Sequence, residues 1–147
     1  MGGYAAEIST VAPGDDSAHR VDPSGFVVSH HLADGAEICV ERLSGGHLFH
    51  LAIAGCVFNT LFQLAAARNV KLRECRVVVD GEFDDVAPKS KGISYAIELA
   101  GDASPDELSA IAREADAKSD IPNLLRADTS VVLRGASVSG ASRASAV

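Results

Sequence analysis

The chain has no tryptophan, only two tyrosines and one methionine, and its three cysteines, Cys39, Cys56 and Cys75, are odd in number and form no CxxC pair. Such sparse, irregular cysteines point to free thiols in a cytoplasmic protein rather than to a disulfide framework. Basic runs longer than a pair are absent, and 20 acidic against 13 basic side chains leave a formal charge of −7. Phosphate binding needs clustered Lys and Arg, so neither nucleic acid nor an anionic membrane surface is expected as the main partner. The N-terminus lacks the charged-then-apolar build of a signal peptide. There is no internal repeat, and Gly2-Gly3 and Gly45-Gly46 are too short to cradle a phosphate.

What is present is enough for one domain with a real core: 147 residues, of which 47% are hydrophobic and 22% charged. From Leu43 to Ala67, 25 residues pass without Asp, Glu, Lys or Arg, a length that spans a bilayer. His47, His50, Asn59, Thr60 and Gln63 interrupt that stretch, and no Trp or Tyr anchors flank it. A helix apolar almost all round also fits the centre of a soluble domain, so a buried central helix is expected and no membrane span.

Tyr4–Val11 reads as a short strand. Gly25–Leu32 and Ala36–Leu43 read as two more, joined through Asp34-Gly35, a strong hairpin signal. Ser44 is placed to cap the long helix, from about Gly46 to Arg68, and Asn69 to close it in the left-handed conformation. Val70–Phe83 and Ile93–Leu99 are strands by alternation. Ser104-Pro105-Asp106-Glu107 is a capping box with proline at the first helical position, and Leu108, Ile111, Ala112 and Ala115 then form one apolar stripe. Pro122 ends that helix or restarts a short turn. Thr129–Arg134 is the last strand expected. Residues 1–134 are thus expected to form a single α+β domain, and 135–147 a disordered Gly/Ala/Ser tail.

His47 and His50 lie three apart and share a helical face near the start of the long helix, but no third metal ligand is identifiable. Neither a metal nor a cofactor is expected. On the same helix Cys56 is six residues beyond His50 and nine beyond His47, so they do not sit side by side. His30 and His31 lie on the early strand Gly25–Leu32, so their rings are expected to point to opposite faces and not to form a metal site together. Cys75 shares a strand face with Val77 and Val79, which makes it a small core residue; Cys39 shares one with Glu37 and Glu41.

The run Leu48-Phe49-His50-Leu51-Ala52-Ile53-Ala54-Gly55-Cys56, the helix ending Ala65-Ala66-Ala67-Arg68 and the strand Arg73–Gly81 together resemble the centre of the OsmC/Ohr family, over roughly residues 18–134. The resemblance implies antiparallel sheets around a long buried central helix, in an intertwined homodimer whose central helices pack together. It also implies an apolar interface site, with Cys56 as the thiolate that reduces an organic hydroperoxide and Arg20 as its stabilising partner. Phe49, Phe58 and Phe62 then suit a lipid-like or aromatic substrate. Two positions depart from the family. The second cysteine is replaced by Ile121 if the alignment is anchored on the proline, or by Ser119 if it is anchored on Asn123-Leu124-Leu125-Arg126. The glutamate before the long helix is replaced by His47 or Gly46. A one-cysteine cycle with an external thiol reductant is then an option. Two alternatives stand beside it. One is a different enzyme using His47, His50 and Cys56 on a small apolar metabolite; the other is a protein that holds a hydrophobic ligand without turning it over.

Overall fold

In the computed structural model, which describes residues 3–11 and 25–140, nine elements follow one another. They are β1 (Ala6–Thr10), β2 (Gly25–Val28), β3 (Ala36–Val40), α1 (Gly45–Ala67), β4 (Leu72–Phe83), β5 (Ser90–Gly101), α2 (Pro105–Lys118), α3 (Asp120–Leu125) and β6 (Val131–Gly140). The strands form one sheet in the order β2-β3-β1-β4-β5-β6. All neighbours pair antiparallel except β5 and β6, which run parallel. The sheet is therefore mixed where antiparallel pairing alone was expected. The reason is the connection: α2 and α3 carry the chain back along the sheet before β6 begins, as a parallel pair requires.

Helices cover one face. α1 packs on β1 and β4, and α2 on α1, β5 and β6. Ile8, Val77, Val79, Tyr95, Ile97 and Leu99 point inward from alternate strand positions and meet Ile53, Val57, Phe58 and Leu61 of α1 in one core. Leu108, Ile111, Ala112 and Ala115, the stripe read from the sequence, close it from α2. The opposite face of the sheet is polar. Arg76 is held there between Glu7 at 2.8 Å and Glu98 at 2.7 Å.

The helix ends follow their caps. Ser44 Oγ accepts the His47 backbone N–H at 3.1 Å, relieving one of the orphan donors at the start of α1. At its end Asn69 adopts φ 55°. Val70 N–H donates to the Ala65 carbonyl at 2.8 Å and Asn69 N–H to that of Ala66 at 3.0 Å, the paired bonds of a Schellman stop. Ser104 caps α2 through the Glu107 N–H at 3.1 Å.

Two further expectations change. β6 continues through Gly135 to Gly140, in register with Ala96 to Gly101 of β5, so the tail expected from Gly135 onward is strand for its first six residues. As an edge strand it leaves most side chains exposed and needs no apolar alternation, which is why its composition reads as tail. And α1 is not buried all round. His47, His50, Ala54, Val57, Leu61 and Ala65 face the core, while Leu48, Ala52, Gln63 and Ala66 are exposed. Among the described residues α1 is the one helix long and apolar enough to cross a membrane, and in this fold it is the core helix laid across the sheet.

Candidate functional site

Cys56 sits at the start of the fourth turn of α1, half-buried, where α3 packs on the helix. The backbone N–H of Ile121 donates to its sulfur at 3.4 Å. Ile121 is at the start of α3, where backbone N–H groups have no acceptor within the helix, and the sulfur takes that role. One turn on, the Thr60 hydroxyl donates to the Cys56 carbonyl at 2.9 Å. Chemistry at a thiolate needs donors aimed at the sulfur and access from outside; here there is one backbone donor and partial exposure.

The segment 119–121 is thus the chain's own neighbour of Cys56, whichever of its two positions matches the family's second cysteine. Ser119 is fully buried, its hydroxyl donating to the Ala115 carbonyl at 2.6 Å, and Ile121 is half-buried against the core. No second thiol replaces them. None of the three cysteines is in a disulfide. Cys75 faces the core beneath the helices, where burial pushes its thiol far up from the ordinary range. Cys39 lies on the strand position that alternates with Ile38, and its sulfur donates to Glu37 Oε1 at 3.4 Å on the polar side of the sheet.

His47 and His50 form a second group, not joined to Cys56 by any hydrogen bond among the described residues. Their positions on α1 put them about 13 and 9 Å below it along the axis, at 1.5 Å per residue. Both are fully buried. His50 Nδ1 lies 2.9 Å from the Tyr4 carbonyl, which only accepts, so that nitrogen carries the proton and Nε2 is bare. His47 Nδ1 lies 2.5 Å from Ser44 Oγ. The rings of Tyr4, Phe49 and Phe83 surround them. Both Nε2 atoms are buried without a hydrogen-bond partner among the described residues. Burial pushes the His50 pKa below its ordinary value, against the opposing pull of the Tyr4 carbonyl and Asp80. No group of three metal-ligating side chains occurs among the described residues.

Phe58 and Phe62 belong to a third group, under His30. Leu32 N–H donates to His30 Nδ1 at 3.1 Å, so the proton sits on Nε2 and is donated to Asn59 Oδ1 at 3.1 Å. β2 ends at Val28, so strand alternation no longer applies, and His30 and His31 stack with centroids 4.8 Å apart rather than pointing to opposite faces. Phe49 joins the histidine pair rather than this group. Arg20 lies outside the described residues. A groove of about 950 Å³ opens along the C-terminal end of α1, lined by Phe62, Val70, Leu72 and Cys75 among others, and does not reach Cys56.

Sequence reasoning placed Cys56, Ser119 and Ile121 near one another only through resemblance. It missed the Ile121 amide, since a backbone donor has no residue signature, and it missed Tyr4 and His30, whose roles depend on loops.

A family model described as OsmC-like protein matches residues 40–134. Among solved structures, an OsmC-like protein from Mycoplasma pneumoniae aligns at TM-score 0.56 and 12% identity, over 79% of this chain and 94% of its own. An organic hydroperoxide resistance protein OsmC from Legionella pneumophila aligns at TM-score 0.53 and 15% identity, over 81% and 100%. A protein of Aquifex aeolicus VF5 aligns at TM-score 0.59 and 10% identity, over 80% and 89%. At these identities the likeness speaks for the fold. The comparison with curated proteins gives no match.

Proposed function

The chain belongs to the OsmC-like protein family, and from that premise we propose that it reduces organic hydroperoxides with Cys56 as its thiol nucleophile, in a one-cysteine cycle completed by an external thiol. The observation that carries the reading is the Ile121 N–H donated to the Cys56 sulfur in a half-buried, largely apolar setting. The Cys56 thiolate attacks the terminal peroxide oxygen, the O–O bond breaks, and the alkoxide leaves to take up a proton as an alcohol. Cys56 is left as the sulfenic acid. A first external thiol displaces water from that sulfur to give a mixed disulfide; a second releases the Cys56 thiol and an external disulfide. Two electrons pass from the external thiols to the peroxide.

Ser119 and Ile121 support this cycle by lacking sulfur, and the separate settings of Cys39 and Cys75 support it by offering no resolving partner. Ile121, half-buried beside the sulfur, supplies apolar surface for the organic part of the substrate, whereas Phe58 and Phe62 are buried under His30 and give it none; Arg20 is proposed as the thiolate's cationic partner. The chain is proposed to act in the cytoplasm as a homodimer, with the uncovered side of α1 at Leu48 and Ala52 against a second copy. A charge-free helix face left to water is otherwise unexplained.

The test is single-turnover oxidation by cumene hydroperoxide with dimedone trapping and mass spectrometric mapping. Rapid stoichiometric labelling at Cys56, absent in Cys56→Ser, is the expected outcome; slow labelling shared among the three cysteines would reject it. A second reading rests on the two unpartnered Nε2 atoms: acid–base chemistry by His47 and His50 on a small apolar metabolite. Turnover that survives Cys56→Ser and is lost in His50→Gln would favour it.

A further inference from the structure

α3 is held by its own side chains along one side only, through Ile121, Pro122 and Leu125. Of its six residues only Pro122 is buried; Asp120, Asn123 and Leu124 are exposed, Leu124 to 70%. Yet this short helix delivers the N–H that meets the Cys56 sulfur. Hydrogen bonds weaken steeply with distance and angle, so the donor depends on how this six-residue helix is anchored at its far end as well.

That further anchoring comes from one residue just past the helix. Arg126 Nε donates to the Val131 carbonyl at 3.0 Å, at the start of β6. Its Nη1 donates to the Asp116 carbonyl at 3.0 Å and to Asn123 Oδ1 at 2.9 Å, and its Nη2 to Asp116 Oδ1 at 2.6 Å. The guanidinium therefore ties α3 to α2 and to β6 at once, a geometry that the planar fork supplies and a lysine does not. Asp116 is in turn oriented from below. The hydroxyl of Tyr95, a fully buried residue of β5, donates to the same Oδ1. Burial and the neighbouring carboxylate push that hydroxyl far above its ordinary range, which keeps it a donor. On the other side Asn123 Nδ2 donates to the Ala117 carbonyl at 2.7 Å.

We propose that Arg126 is a positioning residue for Cys56: through Asp116, Asn123 and the Val131 carbonyl it holds α3 where the Ile121 amide donates to the sulfur. Tyr95 sets the Asp116 carboxylate that Arg126 grips. The inference rests on Cys56 being the reactive thiol, but not on what it reacts with.

The test is the rate of iodoacetamide alkylation at Cys56, followed peptide by peptide in the full-length protein from mildly acidic to strongly alkaline pH. Arg126→Lys keeps the charge and loses the fork. Its expected effect is a fall on the order of tenfold in the Cys56 rate near neutral pH, what one hydrogen bond to a charged group is worth, with the alkaline plateau unchanged. Asn123→Ala, which removes one of the four contacts, is expected to give a smaller fall in the same direction. Arg134→Lys, on β6 and bonded only to Ser94 Oγ among the described residues, is the control and leaves the profile in place. Profiles of Arg126→Lys and Asn123→Ala that superimpose on the wild type, with the far-ultraviolet circular dichroism of a folded chain, would overturn the proposal. So would a uniform fall at every pH, which signals altered access rather than a lost donor. Absence of sulfenic acid in the wild-type protein would reject the peroxidase reading and leave this result standing, because alkylation requires only the thiolate.

Discussion

Gly81→Ala tests the packing beneath α1. Gly81 lies in β4 and its φ is not in the left-handed region, so alanine suits the backbone there; what fails is space. A Cβ at that position would stand 2.5 Å from His50 Nε2, 3.1 Å from its Cε1 and 3.0 Å from the Gly92 carbonyl oxygen. His50 has little room to retreat: its Nδ1–H is bonded to the Tyr4 carbonyl and its ring packs against Phe49 and Phe83. Overpacking of this kind costs about 1–3 kcal/mol, and turning the ring away from Tyr4 removes a hydrogen bond worth about 1 kcal/mol. The expected destabilisation is therefore about 2–4 kcal/mol, a fall of roughly 5–15 °C in Tm for a chain of this size. Urea denaturation of wild type, Gly81→Ala, His50→Ala and the double variant measures it. Because the clash is with His50, the cost of Gly81→Ala is expected to shrink by about 1–3 kcal/mol in the His50→Ala background. Equal costs in both backgrounds, or a Gly81→Ala protein within about 0.5 kcal/mol of wild type, the range of an inconsequential surface change, would refute the reasoning.

Burial lowers the pKa of His50, and of half-buried His30, below the ordinary histidine value of 6.5, so the unfolded chain binds these protons more readily than the folded one. Stability is then full above the unfolded value of about 6.5 and declines as pH drops below it, the loss completing below the folded pKa. Urea titrations across that window are expected to show a shallower decline in His50→Gln; an unchanged slope would remove His50 from the explanation. On the uncovered side of α1, Leu48→Glu combined with Ala52→Glu is expected to convert a dimer into a single 15.2 kDa chain by light scattering, with secondary structure retained. A wild-type chain that is already monomeric would contradict the dimer proposal.

Local chemistry made much of this architecture legible. Ser44, Asn69 and the Ser104–Glu107 box mark helix ends because caps satisfy orphan backbone groups within a few residues, and those signals are written in side chains. Strand alternation in Ile93–Leu99 was equally plain, since one face is core and the other open. What stayed hidden depends on partners distant in sequence or on backbone atoms. β6 beyond Arg134 is held by ladder bonds to β5, which small polar residues make as well as apolar ones. The Ile121 amide and the Tyr4 carbonyl that orient Cys56 and His50 come from main chain 65 and 46 residues away. Cys56 itself is a mid-helix cysteine like many buried ones, so its candidacy came from resemblance and not from its own surroundings.

The most direct measurement mixes one equivalent of reduced protein with cumene hydroperoxide, without any external thiol, and quantifies the alcohol formed. One equivalent of cumyl alcohol per Cys56, formed in a single rapid phase and absent from Cys56→Ser, is the expected result. Alcohol formed equally by Cys56→Ser, or none from the wild-type protein, would contradict Cys56 as the peroxide-reducing thiol.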